Sequence, residues 1–574
     1  MPLNLKTNQE PINPNDPEYQ DVLKDLQGNI LKGHGRDKSG HIFLTFPNPQ
    51  ENPEKIAALK NWIAQLAINE ITSAQQQLNE SKAWRENKTP GKTFVHFALS
   101  SSGYTKLGFS DSQQPKGANL QKRTKEKDDY EEVFQQGMKL RKNALLDPPV
   151  SSWDDNFRKD IDALVIIADD NSEILNQKFL EIEKQLKDIT TNIFNEQGDT
   201  VRKSFNGNDP IVVEHFGYAD GISQPIFLQQ GVTSGSNFSQ DAPLNLVLIP
   251  DPFGTSGVSF GSFLLFRKLE QNVQGFKKAE FALSQALGTP FALAGAMAVG
   301  RFEDGTPLVL QSNDGSIGLN DFDYQGDSQG LRCPFQSHIR KSNPRLESVK
   351  QGGPFAQSTE QELGHRIARR GVTYGGPLSD FSQDFDRLPR TGVGLLFMCY
   401  QSDIWEQFEF IQRFWCNNPK FLEPAMNNNP NYHRTGLDAV IGQRQGNQED
   451  PLIKEVPEVP KNWPESYGQP TVKPDITPEN EFGQFVTLKG GEYFFSASIT
   501  FLKSLSNQSS PEETAEPTPG AFYVVKSGDT LFIIAENAYG DGSNFSVIYE
   551  ANQDAIGNNS EVIVPGQRLF IPLL

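Results

Sequence analysis

Four short apolar runs, each followed by a window of helical spacing, constrain the fold of this chain more than any single motif. The first is His41-Ile42-Phe43-Leu44-Thr45-Phe46, with a helical pattern after it from about Pro53 to Leu78. Ala163-Leu164-Val165-Ile166-Ile167-Ala168 precedes a second, from about Asn171 to Lys187. Gly261-Ser262-Phe263-Leu264-Leu265-Phe266 precedes a third, Gln274 to about Leu287, and Gly394 to Tyr400 a fourth, Asp403 to Trp415. Runs of this length suit buried strands, and the windows after them suit amphipathic helices. The repeat predicts a sheet with helices packed on one face, in two halves. Periodicity alone supports α/β nearly as well as α+β.

The chain has 574 residues, enough for two or three domains, and its 40 phenylalanines can furnish much of a core. A net charge of −19 argues against nucleic acid or an anionic membrane as partner. The first twenty residues are polar, without an apolar signal core or paired arginines, and no later run is long enough to span a bilayer. The expectation is therefore a cytoplasmic protein with no membrane partner. Three cysteines, Cys333, Cys399 and Cys416, lack metal-ligand spacing and cannot build a disulfide framework.

Residues 506–520 hold three prolines and three acids with almost nothing apolar, which predicts an extended linker. A compact unit follows from about residue 521. It opens on Phe522-Tyr523-Val524-Val525-Lys526-Ser527-Gly528-Asp529-Thr530-Leu531 and ends on Ile563-Val564-Pro565-Gly566-Gln567-Arg568-Leu569-Phe570-Ile571-Pro572.

Chemistry-bearing residues gather in three places beyond residue 210. Asp220 stands between glycines in Gly217-Tyr218-Ala219-Asp220-Gly221, His338 ends Cys333-Pro334-Phe335-Gln336-Ser337-His338, and Arg369-Arg370 precedes Gly371. Each has a bland reading when taken singly. The first is a hairpin turn, the second a solvated histidine beside Arg340 and Lys341, and the third a helix cap or a counter-charge.

Together, and in this order, the three places resemble a known family. Phe216 through Pro225 resembles the GxxDG signature of the dye-decolorizing peroxidases. Cys333 through Asn343-Pro344-Arg345 resembles their proximal-histidine segment, and Arg366 through Gly375 their distal-arginine segment. Gln27 through Arg36 is similar to the family's opening, and Gly394 through Gln412 to its late strand and helix. The resemblance spans residues 20–505. It implies an α+β fold of two ferredoxin-like halves with antiparallel sheets, about 20–205 and 206–505, with heme in the second.

The activity implied is reduction of hydrogen peroxide to water with oxidation of aromatic reductants such as anthraquinone dyes and phenols. The cofactor implied is heme b, one per chain. By position in the family pattern, His338 is the iron ligand and Asp403 the acid behind it, with Glu406 and Glu409 as fallbacks. Asp220 is the distal acid–base residue and Arg369 the distal cation, with Arg370 as the alternative. Arg345 pairs with a heme propionate. His365, His215, His34 and His41 read as structural.

Residues 521–574 resemble a LysM module, which implies a βααβ fold and a ligand containing N-acetylglucosamine. Its groove would lie near Gly528-Asp529-Thr530-Leu531 and Ala551-Asn552. Two other functions stay open: a heme-handling protein of deferrochelatase type, and a glycan-binding protein on a degenerate heme scaffold.

Overall fold

The computed structural model describes residues 3–5, 10–118, 132–229, 238–350, 357–381, 384–422, 435–444, 448–449, 453, 456–469, 472–473, 482–507, 513–514, 516–519, 521–552, 556 and 563–572. The four apolar runs form strands. β1 (Lys38–Thr45), β2 (Phe94–Leu99), β3 (Ala163–Asp169) and β4 (Asn192–Asp199) make the first half. β5 (Phe260–Gln271), β6 (Ala368–Arg369), β7 (Val372–Tyr374), β8 (Gly394–Gln401) and β9 (Val486–Ser496) make the second.

The sheet runs β7-β8-β5-β9-β2-β3-β1-β4, with β6 also on β8, and every pairing among these strands is antiparallel. Within the first half the order is fourth-first-third-second. The second half repeats it as β9-β5-β8-β7, so the two halves share one ferredoxin-like topology. They join edge to edge at β2 and β9, where one pair of residues, Leu99 and Phe495, is in register.

The joined sheet curls until its ends approach. Thr373 Oγ1 on β7 donates to the Asp199 carbonyl on β4, and a Cβ on Gly198 would lie 2.4 Å from Val372. No ladder closes the ends into a barrel among the described residues. Phe43 on β1 consequently meets both halves, with ring centroids 4.7 Å from Phe194 and 4.8 Å from Phe266.

Local chemistry explains the helix boundaries. The first expected helix divides into α1 (Pro53–Asn69) and a second helix, Ala74–Asn87, because Ser73 caps a new start by accepting from the Gln76 N–H. α2 (Ser172–Leu186) begins at Asn171, whose side chain accepts from Glu173 and Ile174. α3 (Val273–Leu287) begins at Asn272 and stops at Gly288, which adopts the left-handed conformation that ends helices. The window expected as a helix from Asp403 to Trp415 is wound more loosely, as two π-helical stretches, Trp405–Glu409 and Ile411–Cys416.

In the C-terminal unit, helices Leu531–Tyr539 and Phe545–Ala551 lie in sequence between strands Phe522–Val524 and Arg568–Phe570, the expected βααβ order. Much of the expected linker falls outside the described residues. Inside it, however, Glu513–Thr514 pairs in parallel with Phe522–Tyr523.

Candidate active site

The Asp220 turn is braced before it is chemical. Gly217 has φ +98°, and a Cβ there would lie 2.6 Å from Phe381, so both backbone and space require glycine. The Glu214 carboxylate accepts the N–H groups of Phe216 (2.9 Å) and Tyr218 (3.0 Å) across the turn. Burial pushes that carboxyl up to about 7, against the pull of Gln271 and the two N–H donors. Asp220 Oδ1 then accepts from the Gly221 N–H at 2.6 Å and from Arg369 Nη1 at 3.1 Å.

Arg369 reaches Asp220 from β6. Its backbone N–H donates to Gln224 Oε1 (3.0 Å) and its Nη2 to the Ser223 carbonyl (3.2 Å). The Ser223-Gln224 end of the signature therefore holds the arginine that faces Asp220. Arg370 serves another place. Its guanidinium donates to the carbonyls of Asn29 (2.7 Å) and Ile30 (2.8 Å), tying down the opening motif.

His338 starts the short helix α4 (His338–Ser342). Its Nδ1 lies 2.9 Å from Asp438 Oδ2, and Asp438 is fully buried. Burial alone would raise that carboxyl, but His338 and the N–H groups of Ile441 and Val440 hold it below the usual range. An ionised Asp438 makes Nδ1 the donor, which leaves Nε2 with its lone pair free and no partner among the described residues.

Asp438 thus corrects the assignment of Asp403. Asp403 is also buried, but its Oδ1 accepts from the Glu406 N–H at 3.0 Å and starts the helix after β8. The fallback Glu409 is bound by Arg141 at 2.6 Å and by the Tyr493 hydroxyl at 2.8 Å.

His338, Asp220, Arg369 and Arg345 line one cavity of about 250 Å³. Apolar side chains such as Ile339, Ile367, Phe397 and Ile411 supply much of its wall, which suits a flat hydrophobic ring. Arg345 donates to the carbonyls of Asn320 (2.8 Å) and Phe322 (2.7 Å) and shares Asn320 Oδ1 with Arg301. Both guanidinium groups are lowered to about 10, first by burial, and neither forms an ion pair with a carboxylate among the described residues. Arg366, a third arginine on the wall, has its buried Nη1 without a hydrogen-bond partner among the described residues. That donor, beside two buried guanidinium charges with no carboxylate partner, suits an anion. A porphyrin with carboxylate arms fits this set: an open imidazole nitrogen, apolar walls and buried cations without a carboxylate partner.

The comparisons with known proteins agree. Residues 25–202 match the DyP dimeric alpha+beta barrel domain, and residues 523–572 match the LysM domain. The multifunctional dye peroxidase DyP2 of Amycolatopsis sp. is 37% identical over 504 residues, covering 85% of this chain and 97% of the relative. The chain belongs to the DyP-type peroxidases. The crystal structure of the Anabaena sp. DyP-type peroxidase superposes with a TM-score of 0.71 at 36% identity, over 86% of this chain and 97% of that one. The dye-decolorizing peroxidase msp1 of Mycetinis scorodonius is 28% identical over 84% of this chain and 87% of its own. This peroxidase is thus an oxidoreductase of a heme-dependent family that uses hydrogen peroxide to oxidise dyes. The heme-handling and degenerate-scaffold alternatives are not favoured.

In the LysM domain, two residues of the expected groove have structural duties. Asp529 Oδ2 accepts from the Tyr523 hydroxyl and the Lys526 N–H, both at 2.7 Å, and Asn552 bridges Ile548 to Phe570.

Sequence reasoning missed Asp438, Arg366 and Glu214. Asp438 lies 100 residues from His338 and carries one local signal, Oδ1 accepting from the N–H groups of Val440 and Ile441 in an Asx-type turn.

Proposed function

We propose that one heme b binds per chain in the cavity, with His338 Nε2 as the iron ligand and Asp438 behind it. Arg345, Arg301 and Arg366 would receive the propionates, and Asp220 with Arg369 would work on the peroxide. The observation that carries this reading is that one cavity joins the His338–Asp438 pair to the Asp220–Arg369 pair. When bound, heme supplies the iron chemistry that takes electrons from the reductant and delivers them to the O–O bond.

The remaining steps belong to side chains. Asp438 holds the proton on Nδ1 and so fixes the tautomer that leaves Nε2 as a ligand. Asp220 accepts a proton from one peroxide oxygen and returns it to the other, which can then leave as water. Arg369 sets a fixed positive charge toward the oxygen on which negative charge develops as the O–O bond breaks. The net reaction consumes one hydrogen peroxide, two protons and two electrons from aromatic reductants, and yields two waters.

An absorption spectrum of heme-loaded protein tests the reading. We expect a Soret band that shifts on one equivalent of hydrogen peroxide and is lost in His338→Ala. A Soret band that survives in His338→Ala would sink the ligand assignment.

For the LysM domain the reading is a glycan containing N-acetylglucosamine, supported by the family match at residues 523–572. Retention on chitin or peptidoglycan beads that is lost when residues 521–574 are removed is the expected result. Equal retention without them would contradict it.

A further inference from the structure

Lys341 has no part in the reading above, yet its position is unusual. It stands on α4 three residues after His338 and is fully buried. Among the described residues no carboxylate forms an ion pair with it. Its Nζ donates instead to three backbone carbonyls: Trp415 at 3.0 Å, Asn418 at 2.7 Å and Gly436 at 2.7 Å. Burial lowers it to about 7, and nearby Cys416 and Asp438 pull the other way. Burying an ammonium group is costly unless its donors are satisfied, and here three carbonyl dipoles satisfy all of them.

Those carbonyls are not scattered. Trp415 and Asn418 flank Cys416, whose carbonyl accepts the Asp438 N–H at 2.8 Å, and Gly436 is two residues before Asp438. One ammonium group therefore grips both stretches of chain that meet at Asp438. The same short helix carries His338 at its start and this clamp one turn later. Arginine would fit poorly, because its donors lie in a plane rather than around a point.

We propose that Lys341 is a positioning residue that fixes Asp438 against His338 Nδ1 and thereby sets the electron density that Nε2 offers to the heme iron. The inference rests on the assignment of His338 as ligand. A backbone clamp without that consequence would affect stability alone.

The test uses full-length, heme-loaded protein as wild type, Lys341→Met, Lys341→Gln, Asp438→Asn and the double variant Lys341→Met/Asp438→Asn. Two quantities are read: the ferric–ferrous midpoint potential, and the rate at which heme transfers to an excess of apomyoglobin. A loosened Asp438 makes the imidazole a weaker donor, so the Lys341 variants should shift the potential upward, with the same sign as Asp438→Asn. Heme should leave roughly 10-fold faster. The double variant should shift little beyond Asp438→Asn alone, because both changes act through one hydrogen bond.

Lys341→Gln keeps two of the three donors and serves if Lys341→Met does not fold. A variant that melts earlier while keeping the wild-type potential and transfer rate overturns the inference, as do effects that simply add to those of Asp438→Asn. A wild type that takes up no heme overturns the His338 reading and this inference with it.

Discussion

Two aspartates, both fully shielded from solvent, separate what position in sequence suggests from what contact decides. Asp403 follows β8 and caps the next helix, whereas Asp438 touches His338. Asp438→Asn should lower kcat/KM by about 10–100-fold. Asp403→Ala should leave the heme spectrum unchanged and cost ~1 kcal/mol of stability, as the loss of a cap does. Steady-state dye bleaching and urea unfolding on both variants check this, and reversed roles would restore Asp403.

Asp220→Asn should bind heme normally yet lose about 10²–10⁴-fold in turnover, read as dye bleaching at saturating peroxide. Glu214 has a different signature. Its carboxyl is raised, so between about pH 4.5 and 7 the folded chain keeps a proton that the unfolded chain has lost. Its contribution to stability therefore falls as pH rises through that window, by at most ~3 kcal/mol. Glu214→Gln should melt like wild type at pH 5 and higher than wild type at pH 8, and equal melting temperatures at both would refute it.

At the scale of elements, the seam between the half-sheets is the weak point. β2 and β9 share one pair in register, and side chains do the rest. The fully buried Gln27 donates to the carbonyls of Phe97 and Ala497, both at 2.8 Å, and accepts the Phe97 N–H. His96 Nε2 meets Ser496 Oγ at 2.8 Å beside it. Gln27→Leu would strand three buried backbone groups and should cost about 3 kcal/mol in urea unfolding.

The strands that the sequence announces are those with unbroken apolar runs. β2 and β4 were not legible, because His96 interrupts one and polar residues such as Asn195, Glu196 and Gln197 fill the other. The π-helical winding after β8 leaves no mark at helical spacing. Asp220, His338 and Arg369 could be read because each sits inside a local motif. Asp438 could not, because its partner is supplied only by the folded chain.

For the whole molecule, the family matches at residues 25–202 and 523–572 separate a peroxidase body from a LysM module. A chain ending at residue 507 should keep its heme spectrum and its bleaching rate within about 2-fold, since among the described residues the core cluster of the LysM domain is drawn from residues 523–571. A large loss of turnover would mean that the module supports the catalytic body.

One consequence of β6 reaches beyond catalysis. Arg369 pairs with Cys399 and faces Asp220, while its neighbour Arg370 grips the Asn29 and Ile30 carbonyls. Slipping this two-residue strand by one position would still present an arginine to the cavity, so the local result is nearly degenerate with the correct one. On the other face the slip would bring Gly371, which has no side-chain donors to offer Asn29 and Ile30. The tie is thus broken by the first forty residues, remote in sequence from the motif whose alignment they decide.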